Sequence, residues 1–166
     1  MSNIHDDQRV GVFVDVQNMY YSAKNLYNTK VDFTSLLDKA VQNRHLVRAL
    51  AYVIKADTPD ESNFFEALQK IGYEVKIKDL KTYYGGAKKG DWDMGIAIDA
   101  LKIAPKIDVA VLVTGDGDFQ VLAKHLKAQG VRVEGMAFGK STAKELRSEV
   151  NNFIDMDQNK DAYLID

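Results

Sequence analysis

The sequence contains no cysteine and only two prolines. Without thiols there is no disulfide framework, no thiolate zinc site and no cysteine nucleophile. Long apolar runs are missing as well: nothing approaches the roughly 18 residues that a membrane helix needs. The opening residues, MSNIHDDQRV, lack the apolar stretch of a secretory leader. The expectation is a cytoplasmic protein with no membrane contact. A strong charge of either sign is also absent. The formal net charge is −2, so any grip on nucleic acid must come from a local basic patch rather than from the whole surface. What is present is a chain of 166 residues, 46% hydrophobic and 28% charged. That is enough for one domain with a sizeable core.

Hydrophobic periodicity divides the chain into alternating elements. Residues 10–16 (VGVFVDV), 46–54 and 108–113 are near-continuous apolar runs, the pattern of strands buried on both faces. Residues 73–78 and 131–138 read as two further strands. Helices are expected near 19–26, from Asp32 or Thr34 through Val41, from Thr58-Pro59 to about Ile71, over 92–104 up to Pro105, over 116–129 and over 142–150. Gly72 and Gly130 are their natural stops. The glycines of residues 83–90 predict a loop, and the polar residues 155–166 are expected to be poorly ordered. The alternation predicts an α/β fold: a mainly parallel sheet of about five strands with helices on both faces, a three-layer sandwich. The domain is expected over residues 10–154, with an extension at 1–9 and a polar tail at 155–166.

Four acids fall where such a sheet collects ligands. In open parallel sheets, sites form beyond the carboxyl ends of strands, where strand order reverses. Asp15 ends the first strand, and Asp116 and Asp118 follow the fourth in the turn TGDGDF. At about 100° per residue, Asp93 shares a helix face with Ala97, Ala100 and Ala104, which aims it at the sheet. Asp99 lies about 240° round from Asp93 and roughly 9 Å further along the axis, so it ranks below Asp93 as a direct ligand. Two unit charges 4 Å apart repel by about 4 kcal/mol at an effective dielectric near 20. Such a cluster is therefore either partly protonated or neutralised by a cation. Hard oxygen donors favour Mg²⁺ or Mn²⁺, ions that activate water and stabilise charge in phosphoryl chemistry.

Each acid also has a plainer reading. Asp116 or Asp118 can cap the helix that follows, and Asp93 can simply favour its helix N-terminus. Asp15 has no propensity reason to end a buried strand. Asn18 either caps a helix or orients an acid or a phosphate. Tyr83, Tyr84, Lys88 and Lys89 either form a solvated loop or stack on bases and meet phosphates. Ser141, in the segment GKST that opens the last helix, is a weak candidate for phosphate contact. There is no G-x-S-x-G elbow and no dinucleotide-binding G-x-G-x-x-G after the first strand.

Three segments in order, VFVDVQN, WDMGIAIDA and VTGDGDF, resemble the NYN domain family. More narrowly they are similar to its LabA-like branch within the PIN-like nuclease superfamily. The resemblance covers residues 10–154 and implies a PIN-like sandwich with a Mg²⁺- or Mn²⁺-dependent ribonuclease site. It carries Asp15, Asp93, Asp116 and Asp118 over as catalytic acids, with Asp15, Asp93 and Asp116 on the metal. Asn18, Lys89 and Ser141 are the expected substrate contacts. Asp99 matches a recurrent family acid and is expected to support the site from behind the metal. Lys89 matches the family's basic residue only loosely, because it stands four positions before Asp93 with Asp91 between them. The implied partner is single-stranded or structured RNA, and a homodimer is compatible with the resemblance. The competing expectation is an RNA-binding or regulatory module that keeps the fold without catalysis. A phosphatase of the haloacid dehalogenase type is a further reading of the GDGD turn. That chemistry needs a second Asp two residues after the nucleophile, and Asp15 is followed by Val16 and Gln17.

Overall fold

Strand β1, Arg9–Asp15, is the centre from which the fold is built. Val10, Val12 and Val14 join one core, Phe13 joins the core on the opposite face, and all four are at most 1% exposed. Burying a side chain of this kind contributes about 1.5–3 kcal/mol. The computed structural model describes residues 4–82, 88–89 and 91–165.

After β1 come α1 (Val16–Tyr27), β2 (Lys30–Val31), α2 (Phe33–Val41), β3 (His45–Lys55), α3 (Glu61–Ile71) and β4 (Glu74–Asp79). A short antiparallel pair follows, β5 (Lys81–Thr82) with β6 (Lys88–Lys89). Then come α4 (Asp93–Ile103), β7 (Val109–Val113), α5 (Gln120–Ala128), β8 (Arg132–Ala137), α6 (Lys144–Glu149), β9 (Asn152–Asp155) and β10 (Leu164–Ile165). The main sheet has six strands in the order β4-β3-β1-β7-β8-β9, and every pairing in it is parallel. Helices α1 to α3 pack on the face of Val10, Val12 and Val14. Helices α4 to α6 pack on the face of Phe13, Leu50 and Leu112. The predicted three-layer α/β/α sandwich with a mainly parallel sheet is what forms.

Strand order reverses at β1. The chain steps outward from β1 to β3 and β4, then returns to lay β7 on the other side of β1 and steps away through β8 and β9. The gap beyond the carboxyl ends of β1 and β7 is therefore the topological switch point, where open α/β sheets bind ligands.

Several local expectations shift. The sheet gains β9, a short half-buried strand at its edge. Of residues 155–166, expected to be poorly ordered, Met156–Ala162 instead form a 3-10 segment and Leu164–Ile165 form β10, which pairs with β2. Met156 and Tyr163 are buried there, and apolar burial holds a segment that its polar majority suggests is loose. Helix α3 begins after Thr58-Pro59, because the Glu61 carboxylate accepts the backbone N–H groups of Ala56 and Asp57 and closes a turn before the helix. Part of the predicted glycine loop is strand β6, while Tyr83 and Tyr84 lie outside the described residues.

Candidate metal centre

Asp15 is delivered by the end of β1, where its carboxylate caps α1. Its Oδ1 accepts the backbone N–H of Asn18 at 3.2 Å, and its Oδ2 accepts the Thr114 hydroxyl at 3.1 Å. Thr114 directly follows β7, so this bond crosses the switch-point seam. Asn18 crosses it again: its Oδ1 accepts the backbone N–H of Gly115 at 2.9 Å. Asn18 is thus a tie between the two strand ends, and the capping of α1 falls to Asp15. A side chain at Gly115 would have no room, since a Cβ there would lie 2.7 Å from the carbonyl oxygen of Ser141.

The turn after β7 supplies the next two acids. The Asp116 backbone N–H donates to Thr114 Oγ1 at 3.2 Å, and Asp116 Oδ1 accepts the backbone N–H of Asp118 at 2.9 Å. This Asx-type closure makes a 3-10 turn, Gly117–Phe119, before α5 starts at Gln120. The capping reading of Asp116 is thereby realised with one carboxylate oxygen.

Asp93 enters from the other side, in the first turn of α4. Trp92 fixes that end of the helix. Its Nε1 donates to the Val53 carbonyl at 2.8 Å, and the Lys78 ammonium lies 4.4 Å from its ring centre. Gly95 leaves space for the indole, because a Cβ there would come 2.5 Å from the ring. Asp91 steadies the entry to the helix by accepting the Asp93 backbone N–H at 3.1 Å.

One carboxylate oxygen from each of Asp93, Asp116 and Asp118 lies within 4.8 Å of the other two. Asp15 lines the same groove, of about 430 Å³, together with Asn18, Tyr21, Asp91 and Ser141. Among the described residues none of these acids has an ion-pair partner. The electrostatic consequence is visible in two groups. Burial pushes the Asp15 carboxyl up despite its hydrogen bonds from Asn18 and Thr114, and Asp116 and Asp91 add repulsion. Asp93 is pushed up to about 7, first by burial and then by Asp116, Asp91, Asp15 and Asp118. The donor set suits a hard cation. An ion 2.0–2.1 Å from each oxygen spans at most about 4.2 Å between two ligands. A small side-chain rotation or one intervening water closes the remaining distance.

The other expected residues divide. Ser141 lines the acidic groove, and its hydroxyl donates to Ser22 Oγ at 2.9 Å. Lys89 lies in β6, and its side chain lies outside the described residues. Asp99 faces away from the cluster: its Oδ2 accepts both the Lys76 ammonium at 2.7 Å and the Tyr52 hydroxyl at 2.9 Å. Burial raises its pKa, but those two hydrogen bonds and the nearby lysine charges outweigh burial and hold it below the ordinary value. Thr114 and Asp91 belong to the site and are absent from the sequence-based set. A hydroxyl immediately after a buried strand, and an acid two residues before Asp93, were the available signals.

The family model of the NYN domain matches residues 9–157. The chain is 28% identical over 156 residues to Low amplitude and bright protein LabA of Synechococcus elongatus, across 89% of this chain and 83% of that protein. It is 30% identical over 124 residues to the Ciliated left-right organizer protein containing ZP-N domains homolog of Xenopus tropicalis, across 72% of this chain and 25% of that longer protein. The crystal structure of a protein of unknown function from Vibrio parahaemolyticus aligns with a TM-score of 0.88 at 32% identity, over 99% of this chain and all 100% of the other.

Proposed function

Because the chain belongs to the NYN domain family, a PIN-like nuclease family, we propose that it is a metal-dependent ribonuclease that hydrolyses phosphodiester bonds at the switch-point groove. One observation carries this reading. Three chain segments, the first turn of α4 and the turn after β7 together with the end of β1, bring carboxylates with no ion-pair partner among the described residues into a single groove. Fold stability alone gives no reason to gather like charges there, since each pair is repulsive.

In this reading Asp93, Asp116 and Asp118 hold Mg²⁺ or Mn²⁺, with Asp15 beside them as the fourth acid. The bound cation supplies charge neutralisation for the phosphate and lowers the pKa of water. The protein's own contribution is placement. Thr114 and Asn18 lock Asp15 to the β7 turn, and Asp116 fixes Asp118 through its backbone. Ser141 and Asn18 offer polar contacts to the phosphodiester. Asp99 supports α4 from the Lys76–Tyr52 side rather than touching the cation.

The test is cleavage of a labelled single-stranded RNA and a labelled hairpin in Mg²⁺ and in Mn²⁺. Asp93→Asn and Asp116→Asn are expected to lose about a hundredfold or more of the rate, the scale for removing a group that stabilises developing charge. Unchanged cleavage by Asp15→Asn and Asp116→Asn proteins refutes the assignment. Metal-independent RNA binding without cleavage of either substrate replaces it with a binding module.

A further inference from the structure

Helix α1 lines the acidic groove from Gln17 to Leu26, and it carries two tyrosines into water. Tyr20 and Tyr21 are 43% and 50% exposed, and their rings meet edge to face with centroids 5.3 Å apart. Tyr21 lines the groove that holds Asp15, Asp93 and Asp116. Tyr20 lines a second groove, of about 450 Å³, with Lys24, Asn28, Thr29, Lys30 and Ile165. The pair is thus a ridge shared by two grooves, one lined with acids and the other with lysines.

Among the described residues neither Lys24 nor Lys30 has a carboxylate within ion-pair distance, whereas Arg9, Arg48, Lys76 and Lys127 each have one. The Lys24 ammonium instead lies 5.9 Å from the Tyr20 ring centre. Exposed rings beside ammonium groups are what a single-stranded nucleic acid track requires: bases stack on the rings and phosphates meet the cations. A duplex offers its phosphates to the lysines, but its base faces are already stacked on one another and cannot reach the tyrosines.

We propose that the Tyr20–Tyr21 ridge and the Lys24–Lys30 groove form the track for a single-stranded RNA segment leaving the acidic groove. The identity of the polymer rests on the ribonuclease reading above. The placement follows from charge. The acids repel phosphate unless a cation neutralises them, so affinity for the flanking nucleotides must come from a positive neighbour, and this groove lies across the Tyr20–Tyr21 ridge from the acidic one.

The experiment is fluorescence anisotropy on the full chain in EDTA. It uses a labelled oligouridine of about 12 nucleotides, within the range of single-strand site sizes, and a labelled RNA duplex of equal length. Cleavage is followed separately in Mg²⁺ and Mn²⁺. Tyr20→Ala/Tyr21→Ala is expected to raise the single-strand Kd about tenfold or more and to leave the duplex Kd unchanged. Tyr20→Phe/Tyr21→Phe is expected to bind like the unaltered protein, because the ring and not the hydroxyl does the stacking. Lys24→Glu/Lys30→Glu is expected to weaken both ligands and to flatten the salt dependence. A single-strand Kd unchanged in Tyr20→Ala/Tyr21→Ala overturns the proposal, as does equal affinity of the unaltered protein for single strand and duplex. Cleavage with tyrosine-independent binding overturns the track alone. Tyrosine-dependent binding with no cleavage in either metal supports the track and removes the ribonuclease reading.

Discussion

The Thr114 hydroxyl donates to Oδ2 of Asp15 at 3.1 Å across the seam between β1 and β7. The Thr114 hydroxyl oxygen in turn accepts the Asp116 backbone N–H at 3.2 Å, so one side chain, 2% exposed, holds two acids in register. Thr114→Val keeps the shape and leaves both partners unsatisfied. The expected loss is about 1–3 kcal/mol of stability, read as a lower urea midpoint. Thr114→Ser keeps the hydroxyl and is expected to recover most of it.

Asp93 makes the metal-free protein sensitive to pH. Its folded-state value, raised from 3.8 to about 7, means that in this window the folded chain holds a proton the unfolded chain has released. Its contribution to stability therefore falls as pH rises through that window, and the cost is complete above it. In EDTA, Asp93→Asn is expected to have a higher Tm than the unaltered protein at pH 8, with the gap closing as pH falls toward 4. Cations act in the opposite sense. They need the deprotonated carboxylate, so the rise in Tm on adding Mg²⁺ or Mn²⁺ is expected to grow from about pH 6 to pH 8. A pH series of thermal melts with and without cation measures both.

Asp99 separates support from chemistry. Asp99→Asn weakens the contacts to Lys76 and Tyr52, with an expected cost of about 1–2 kcal/mol. The low end of the range for charged hydrogen bonds applies because the Lys76 side chain is 37% exposed. The Tm rise on adding cation is expected to survive in this variant and to shrink in Asp116→Asn. An equal loss in both variants would put Asp99 among the ligands.

A second polar cluster lies at the opposite end of the sheet. Arg44 reaches Glu134 through two nitrogens at 2.8 and 3.0 Å, with both side chains 0% exposed, and Arg132 adds a contact at 3.0 Å. Glu134→Gln leaves the Arg44 charge buried without its partner, which costs about 3–5 kcal/mol. Cation binding by the folded protein is expected to be unchanged, which calorimetry below the melting transition can establish.

The acids were legible in the sequence through their placement. Asp15 closes an apolar strand, where propensity favours something else. Asp93, Asp116 and Asp118 are ordinary residues for a helix start or a turn, and they stood out because the Asp93 face is alanine-rich and the TGDGDF turn follows another buried strand. Thr114 gave a weaker signal, since a threonine near a strand end is ordinary and its role depends on β7 lying beside β1. Strand β9 was illegible for a related reason: its residues are all half-buried, so NFID has neither a continuous apolar run nor clean alternation. The surroundings of Asp99 were hidden too. Helix geometry turned it away from Asp93, but its partners Lys76 and Tyr52 come from β4 and β3, and only the sheet order brings them under α4.

The seam between β1 and β7 has a consequence for how the chain is made. Asn18 and Gly115 are 97 residues apart in sequence, and Asp15 and Thr114 are 99 apart. The main sheet contains no hairpin, so no short loop closes early to pre-assemble this region, and contacts of such long range form slowly. A chain growing from its N-terminus can pair β1, β3 and β4 first. The edge of β1 that will receive β7 stays bare meanwhile, a template for wrong partners. Asp15 and Asp93 exist in that unfinished chain, yet they face nothing. If the acids hold a cation as proposed, its binding reports completed folding, and any lesion that opens this one seam erases it, however far away the lesion lies.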